Sequence, residues 1–241
     1  MSNVNKLILE YRNPLIKGYI LSQPNRFTLL VEFNSKAEKV YLPNPGKLST
    51  VLERGREILC TKAKAKRRKT NLNAFAVKLN GIYATVNSLF ANTIFENAIK
   101  RKLLSDLKDF SLEDKEKLIP EYGRIDFVLK NLKGEQLLVE VKSCTHVENG
   151  IAKFPDRPTE RGRKHLKILG KIGKDGINSI VVFVIQRPDA LSFKAFKEID
   201  QEFAHLLKEI YHQGVGIRAI STEFVPPDKI YLENDNLLIN F

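Results

Sequence analysis

Ile180-Val181-Val182-Phe183-Val184-Ile185 is an unbroken apolar run, with Ser179 before it and Gln186 after it. A strand with one wet face alternates apolar and polar residues. A run without alternation is the pattern of a central strand buried on both faces. Such a strand needs a layer above it and another below. The surrounding sequence supplies candidates. Ile94, Phe95, Ala98, Ile99, Leu103 and Leu104 recur at helical spacing. A second helix is predicted over 159–172, with Leu166, Leu169 and Ile172 on one stripe. A third is predicted over 200–212, with Phe203, Leu206, Leu207 and Ile210 apolar and Gly214 as its stop. Strands that alternate are expected at 124–130 and 136–143, and a last strand at 215–220. Helices interleaved with strands describe an α/β (α+β) domain, placed at residues 87–241.

Before residue 87 the pattern differs. Short apolar stretches at 19–22, 27–33, 39–42, 57–61, 75–79 and 82–86 are separated by Gln23-Pro24-Asn25, Pro43-Asn44-Pro45-Gly46, Arg54-Gly55 and Asn80-Gly81. These separators are turn chemistry, and Asn-Gly between two apolar runs is a strong hairpin signal. Short strands at this density suit an all-β, OB-fold-like barrel over residues 1–86. With 43% hydrophobic residues in 241, the chain has the apolar material for both units.

Several function classes drop out. No stretch of roughly 18 apolar residues is present, so no transmembrane helix is expected. The first residues lack the apolar core of a leader, and a cytoplasmic protein is expected. Cys60 and Cys144 are the only cysteines, too few for a disulfide framework or a four-cysteine zinc site. The charge points elsewhere. Forty Lys and Arg face 28 Asp and Glu, a net charge of +12. Lys62, Lys64, Lys66, Arg67, Arg68 and Lys69 form one basic cluster, and Arg161, Arg163, Lys164 and Lys167 another. Clustered cations are rewarded by phosphate backbones through counterion release, so DNA is the expected partner, with RNA as the other candidate and no membrane. A homodimer is compatible with the sequence.

The chemistry-bearing residues are Asp126, Glu140 and Lys142. Residues two apart in a strand point to one face, ~6.7 Å from each other. Glu140 and Lys142 therefore project together, with Val139 and Val141 opposite. Asn131-Leu132-Lys133-Gly134-Glu135 is a turn that brings Asp126 beside Glu140. Two carboxylates with a backbone carbonyl such as that of Val141 suit Mg²⁺ or Mn²⁺, and a lysine beside them suits a developing phosphorane charge. Glu96, on the preceding helix, is a candidate fourth member and metal ligand. Thr159 is a predicted N-cap, and a helix opening at Thr159-Glu160-Arg161 offers amides and arginine to phosphate. His146 and His165 are candidate acids without an evident partner. Phe27, Phe33 and Phe75 are candidates either for the barrel core or for stacking on bases.

The order of these segments is familiar. Pro43-Asn44-Pro45-Gly46-Lys47-Leu48, Gly123-Arg124-Ile125-Asp126-Phe127, Val139-Glu140-Val141-Lys142-Ser143, Phe154-Pro155-Asp156, Thr159 to Leu166 and Gln186-Arg187-Pro188-Asp189-Ala190 resemble the sugar fermentation stimulation protein A (SfsA) family. The resemblance covers nearly the whole chain. It implies an N-terminal OB-fold, a restriction-endonuclease-like PD-(D/E)xK core, and DNA binding. Asp126, Glu140 and Lys142 fall on the Asp and Glu-x-Lys positions of that pattern, and Glu96 falls near its helical acid. Pro45, Lys47, Ala91 and Thr93 depart from the family's usual residues, outside the triad. Two functions are then expected: a DNA-binding protein with a Mg²⁺-dependent phosphodiesterase (nuclease) site, or a non-catalytic DNA-binding regulator of sugar-metabolism genes. A third possibility is a barrel that binds single-stranded RNA.

Overall fold

The computed structural model describes residues 6–63 and 70–241. A first strand, β1 (Leu7–Glu10), leads into β2 (Ile16–Asn25), β3 (Thr28–Phe33), β4 (Lys36–Tyr41), β5 (Glu57–Lys62), β6 (Leu72–Leu79) and β7 (Ile82–Thr85). Strands β2–β7 form one sheet in the order β4-β3-β2-β5-β6-β7, and β4 also pairs with β6. That extra pairing closes five strands into a barrel, which removes their open edges. Alternation drives it: Leu29, Val31 and Phe33 on β3 point inward with Ile20, Val40, Ile58 and Val77. Gly18 lies where β2 crosses β3, and a Cβ there would stand 2.7 Å from Val31, Glu32 and Phe33 atoms. The Asn80-Gly81 turn forms the expected hairpin, with Leu79 opposite Ile82.

The rest of the chain runs α1 (Phe90–Lys100), β8 (Phe110–Ile119), β9 (Gly123–Asn131), β10 (Gln136–Cys144), β11 (Val147–Glu148), β12 (Ile151–Phe154), α2 (Glu160–Lys174), β13 (Ser179–Ile185), β14 (Ser192–Ala195), α3 (Gln201–His212), β15 (Gly216–Val225), β16 (Lys229–Asn234) and β17 (Leu238–Asn240). A seven-stranded sheet has the order β1-β16-β15-β13-β10-β9-β8. Its central strands β10, β13 and β15 are parallel. The apolar run is β13. Val182 and Val184 pack on one side with α1, while Val181, Phe183 and Ile185 pack on the other with α2 and α3. Each such side chain buried contributes about 1.5–3 kcal/mol.

The barrel does not begin at residue 1 as expected. Leu7–Glu10 pairs with β16 and extends the seven-stranded sheet, with Ile8 fully buried in that domain's core. The chain thus passes through the second unit before it enters the barrel. Three apolar residues followed by a glutamate carry no sign of which sheet they join. The two units share a core: Leu59, Phe75 and Ala76 of the barrel lie in one cluster with Phe90, Phe95 and Phe224. Phe75 stacks on Tyr11 at 4.0 Å and meets Phe224 edge-on at 5.1 Å. Among the described residues, no helix is long and apolar enough to cross a membrane.

Candidate functional site

β9 and β10 pair antiparallel with Phe127 opposite Val139, which sets Asp126 next to Glu140. Beyond that pair, side chain replaces backbone. The Val141 N–H donates to Asp126 Oδ2 at 2.8 Å, a bond the ladder would otherwise give to a carbonyl. The strand pair ends at the carboxylates and opens a cleft there. The face bearing Glu140 and Lys142 is covered further along by α2 and α3, so Glu140 is only 3% exposed.

Glu140 Oε1 accepts Lys142 Nζ at 2.5 Å and also the Nδ1 of His165, one turn into α2. Arg161 Nε lies 3.4 Å from His165 Nε2. Lys142 Nζ lies 3.2 Å from His165 Nδ1, so the ammonium, the imidazole and the Glu140 carboxylate form one compact cluster. Burial alone would push the Glu140 carboxyl up, but the imidazole and the ammonium outweigh it and hold it below its ordinary value. Asp126 moves the opposite way. Burial and the adjacent Glu140 charge raise it, against the Val141 amide, Lys142 and His165.

The N-terminus of α2 closes one wall. Thr159 is its N-cap, accepting the Gly162 N–H at 3.0 Å. Asp200, the N-cap of α3, also accepts the Thr159 N–H at 2.9 Å and so binds the two helix starts together. The opposite wall is the barrel turn after β4. Asn44 Oδ1 accepts the Gly46 N–H at 2.8 Å, and Asp156 Oδ2 accepts the Leu48 N–H at 2.8 Å. Asp156 stands so close that a Cβ on Gly46 would lie 2.7 Å from its carboxylate. The cleft between them is about 260 Å³, with Asn92, Ser143, Arg157 and Arg161 at its margins.

Residues 89–228 match the family model described as the sugar fermentation stimulation protein RE domain, and residues 21–86 match the SfsA N-terminal OB domain. The chain belongs to the sugar fermentation stimulation protein family. An SfsA homolog of Caldanaerobacter subterraneus is 36% identical over 214 residues, 88% of this chain and 92% of that protein. One of Natranaerobius thermophilus is 32% identical over 229 residues, 94% of this chain and 95% of that one. The solved structure of Pyrococcus furiosus SfsA in complex with Ca²⁺ superposes with a TM-score of 0.89 at 29% identity, covering 98% of this chain and 99% of that one. The SfsA architecture is therefore an OB barrel followed by an α/β domain.

Within this SfsA frame, Asp126, Glu140 and Lys142 meet in the cleft as the strand spacing predicts. Glu96 does not join them. Its carboxylate is taken by Lys100 at 2.6 Å and Lys115 at 3.1 Å, and Asn92, one turn earlier on α1, lines the cleft instead. Burial would raise the Glu96 carboxyl, and the two lysines bring it below its ordinary value. Of the second basic cluster, Arg161 reaches the cleft. Arg163 is turned to α3, paired with Asp200 at 2.8 Å and Glu202 at 3.2 Å, and Lys164 is exposed outside the cleft lining. Lys62 is exposed at the end of β5. Lys64, Lys66, Arg67, Arg68 and Lys69 lie outside the described residues.

His165 gains the partner that its sequence context does not supply. Asp156, Asn44 and Gly46 carry no local signal beyond turn chemistry. Gln186 is another unforeseen residue: fully enclosed, it donates to Ser143 Oγ at 2.6 Å and to the Asn87 carbonyl at 3.1 Å, and accepts from Thr85 Oγ1 at 2.5 Å. It latches the barrel to the sheet beside the cleft. Among the described residues, no three His, Cys, Asp or Glu side chains form a ready cation cage. The two carboxylates are nonetheless hard oxygen donors. Burial first and the Glu140 charge second raise the Asp126 carboxyl, and a cation placed between two such carboxylates would offset that repulsion.

Proposed function

We propose that this SfsA-family protein binds nucleic acid and hydrolyses phosphodiesters at the cleft, with Mg²⁺ or Mn²⁺ held by Asp126 and Glu140. The observation that carries the reading is the convergence of the buried Glu140 and the adjacent, half-buried Asp126 with Lys142, beneath the α2 N-terminus and Arg161. The PD-(D/E)xK assignment of the domain belongs to the same proposal. The net charge of +12 supports a polyanionic substrate, and DNA is the first to test. The Pyrococcus furiosus relative was solved with Ca²⁺, a cation that takes oxygen ligands, which supports a carboxylate site here.

When bound, the cation would supply Lewis-acid polarisation of the phosphoryl oxygen and acidify a water. The chain's own residues do the rest. Arg161 and the first amides of α2 receive the phosphate oxygens. Lys142 leaves Glu140 to face the charge that develops at phosphorus. Asp126 is fixed by the Val141 N–H, so its second oxygen keeps one direction without reorganisation. Asp156 and Asn44 hold the barrel turn in place and narrow access to the cleft.

A second reading is a non-catalytic DNA-binding regulator. It is favoured by Glu140 being already engaged by the Lys142 ammonium and the His165 ring. Incubating purified protein with labelled single-stranded, duplex and flapped DNA in Mg²⁺, Mn²⁺ or EDTA separates the two. Cleavage that needs the metal and is lost in Asp126→Ala is the expected result. Binding without cleavage under every condition overturns the phosphodiesterase.

A further inference from the structure

Next to the cleft, on the barrel side, lies a wider groove of about 620 Å³. The two are continuous: Asn44, Pro45, Ser88, Leu89 and Arg161 line both. A strand leaving the carboxylates therefore passes Arg161 and runs onto the barrel surface. Phe27, Tyr41, Lys62, Asn13 and Asn73 line the groove there.

Phe27 behaves unlike Phe33 and Phe75, the other barrel phenylalanines that could stack on bases. Phe33 and Phe75 are 8% and 1% exposed, whereas Phe27 is 40% exposed. A lone exposed apolar ring is ordinary on a protein surface. This one is held in place. Its ring is near-parallel to Tyr41, at 27° and 6.4 Å between centroids. The Arg26 guanidinium sits 5.2 Å from the ring centroid, and Arg26 Nε donates to the Pro45 carbonyl at 2.9 Å. Pro45 belongs to the turn that roofs the acidic cleft. The aromatic pair is thus tied, through one arginine, to the wall of the candidate phosphodiester site.

We infer that this groove binds an unpaired nucleic-acid strand, with a base stacked on Phe27. The inference rests on the reading of the cleft as a phosphodiester site and names the strand form it takes. An aromatic face accepts the face of any base, while Asn13 and Asn73 offer amides to base edges and Lys62 and Arg161 offer charge to the backbone. Within a duplex each base face is covered by its neighbours, so an internal paired base cannot stack on Phe27. A fixed ring also loses little side-chain entropy on binding. DNA and RNA share this chemistry, and the sugar preference is left to the measurement.

The test is equilibrium binding of the full chain in EDTA, by fluorescence anisotropy. The probes are a labelled oligothymidylate, an oligouridylate and a blunt duplex. Phe27→Ala should weaken binding to an unpaired strand by about tenfold, as expected for losing one base–aromatic stack, and leave duplex binding within about twofold. Phe27→Trp should retain the affinity. Circular dichroism and thermal melts establish that both variants fold. The salt dependence of wild type and Phe27→Ala should be parallel, because no cation is removed. Tighter binding of either single-stranded probe identifies the sugar. Equal affinity of wild type and Phe27→Ala for both single strands overturns the inference, as does an equal loss on the duplex. Cleavage is scored separately in Mn²⁺. If wild type cuts but Phe27→Ala binds unpaired strands normally, the groove assignment fails and the phosphodiesterase stands. If Phe27→Ala loses affinity but wild type never cuts, the groove stands and the phosphodiesterase fails.

Discussion

Asp126 accepts the backbone N–H of Val141, 15 residues on and on the neighbouring strand, at 2.8 Å. One carboxylate thereby does two jobs. It ends the β9–β10 ladder by satisfying a donor, and it stands near enough to Glu140 to feel that charge. Its neighbour Glu140 is satisfied by cations instead. The pair is built so that one carboxyl is raised and the other lowered, and the difference comes from what each faces.

The two jobs of Asp126 are separable. Asp126→Ala leaves the Val141 N–H without its acceptor and is expected to lower stability by about 1–3 kcal/mol. Asp126→Asn keeps an oxygen acceptor and should lose less. Both variants should abolish metal-dependent cleavage. Urea unfolding and single-turnover cleavage on the same preparations check this. An Asn variant that cuts at the wild-type rate would remove Asp126 from the chemistry.

Lys142→Ala leaves both carboxylates in place and removes the cation beside them. Loss of one preorganised electrostatic interaction is expected to slow cleavage by roughly a hundred- to thousandfold, about 2.7–4 kcal/mol of barrier. Affinity for DNA should change far less, because Lys142 is one cation among 40 Lys and Arg. Matched cleavage and filter-binding measurements read the two effects apart.

The barrel turn offers a coupling test. Gly46→Ala would press a methyl onto the Asp156 carboxylate, and Asp156→Ala would strip the Leu48 N–H of its acceptor. Each is expected to destabilise the protein. The double variant should be more stable than the sum of the two losses predicts, because removing the carboxylate makes room for the methyl. A thermodynamic cycle from chemical denaturation measures this, and strict additivity would contradict the packing described.

Asp200 gives a pH signature. Burial would raise its carboxyl, but the Thr159 and Phe203 amides and Arg163 hold it below its ordinary value. A carboxyl lowered on folding contributes stability that is fully present above its unfolded pKa, about 3.9. That contribution is lost as pH falls through the lower, folded value. Asp200→Ala should therefore be less stable than wild type by about 2 kcal/mol near neutrality, as for a lost helix cap. The gap should narrow once the pH drops below about 3.9. Denaturation midpoints across that range decide it.

For Lys62 and Arg161, the expected effect is on salt dependence. Replacing either by Ala should weaken nucleic-acid binding across sequences. It should also reduce the slope of affinity against salt by about one for each phosphate that is no longer neutralised. An unchanged slope would place that side chain in bulk solvent.

Much of this protein was legible along the chain because local periodicity reports local burial. The run at 180–185 demanded cover on both faces, and β13 has it. The Asn80-Gly81 hairpin, the Thr159 cap and the pairing of Glu140 with Lys142 are properties of a few adjacent residues. Asp126 was within reach because one tight turn joins its strand to that of Glu140. The family pattern added the order of the segments. Other features had no local trace. β8 is an edge strand, and Phe110–Ile119 is charged and mostly exposed, so it shows neither a helical stripe nor a clean alternation. Leu7–Glu10 looks the same whichever sheet it joins, and only the open edge of β16 decided it. Glu96 sat at a plausible helical position, yet Lys115 from β8 claimed it. His165 acquired Glu140 from 25 residues away, and Gly46 of the barrel met Asp156 of the other unit. Sequence spacing fixes which side chains share a face of one element. Which faces meet depends on how the sheet, the helices and the barrel close over a common core, and that is settled only when the whole chain is packed.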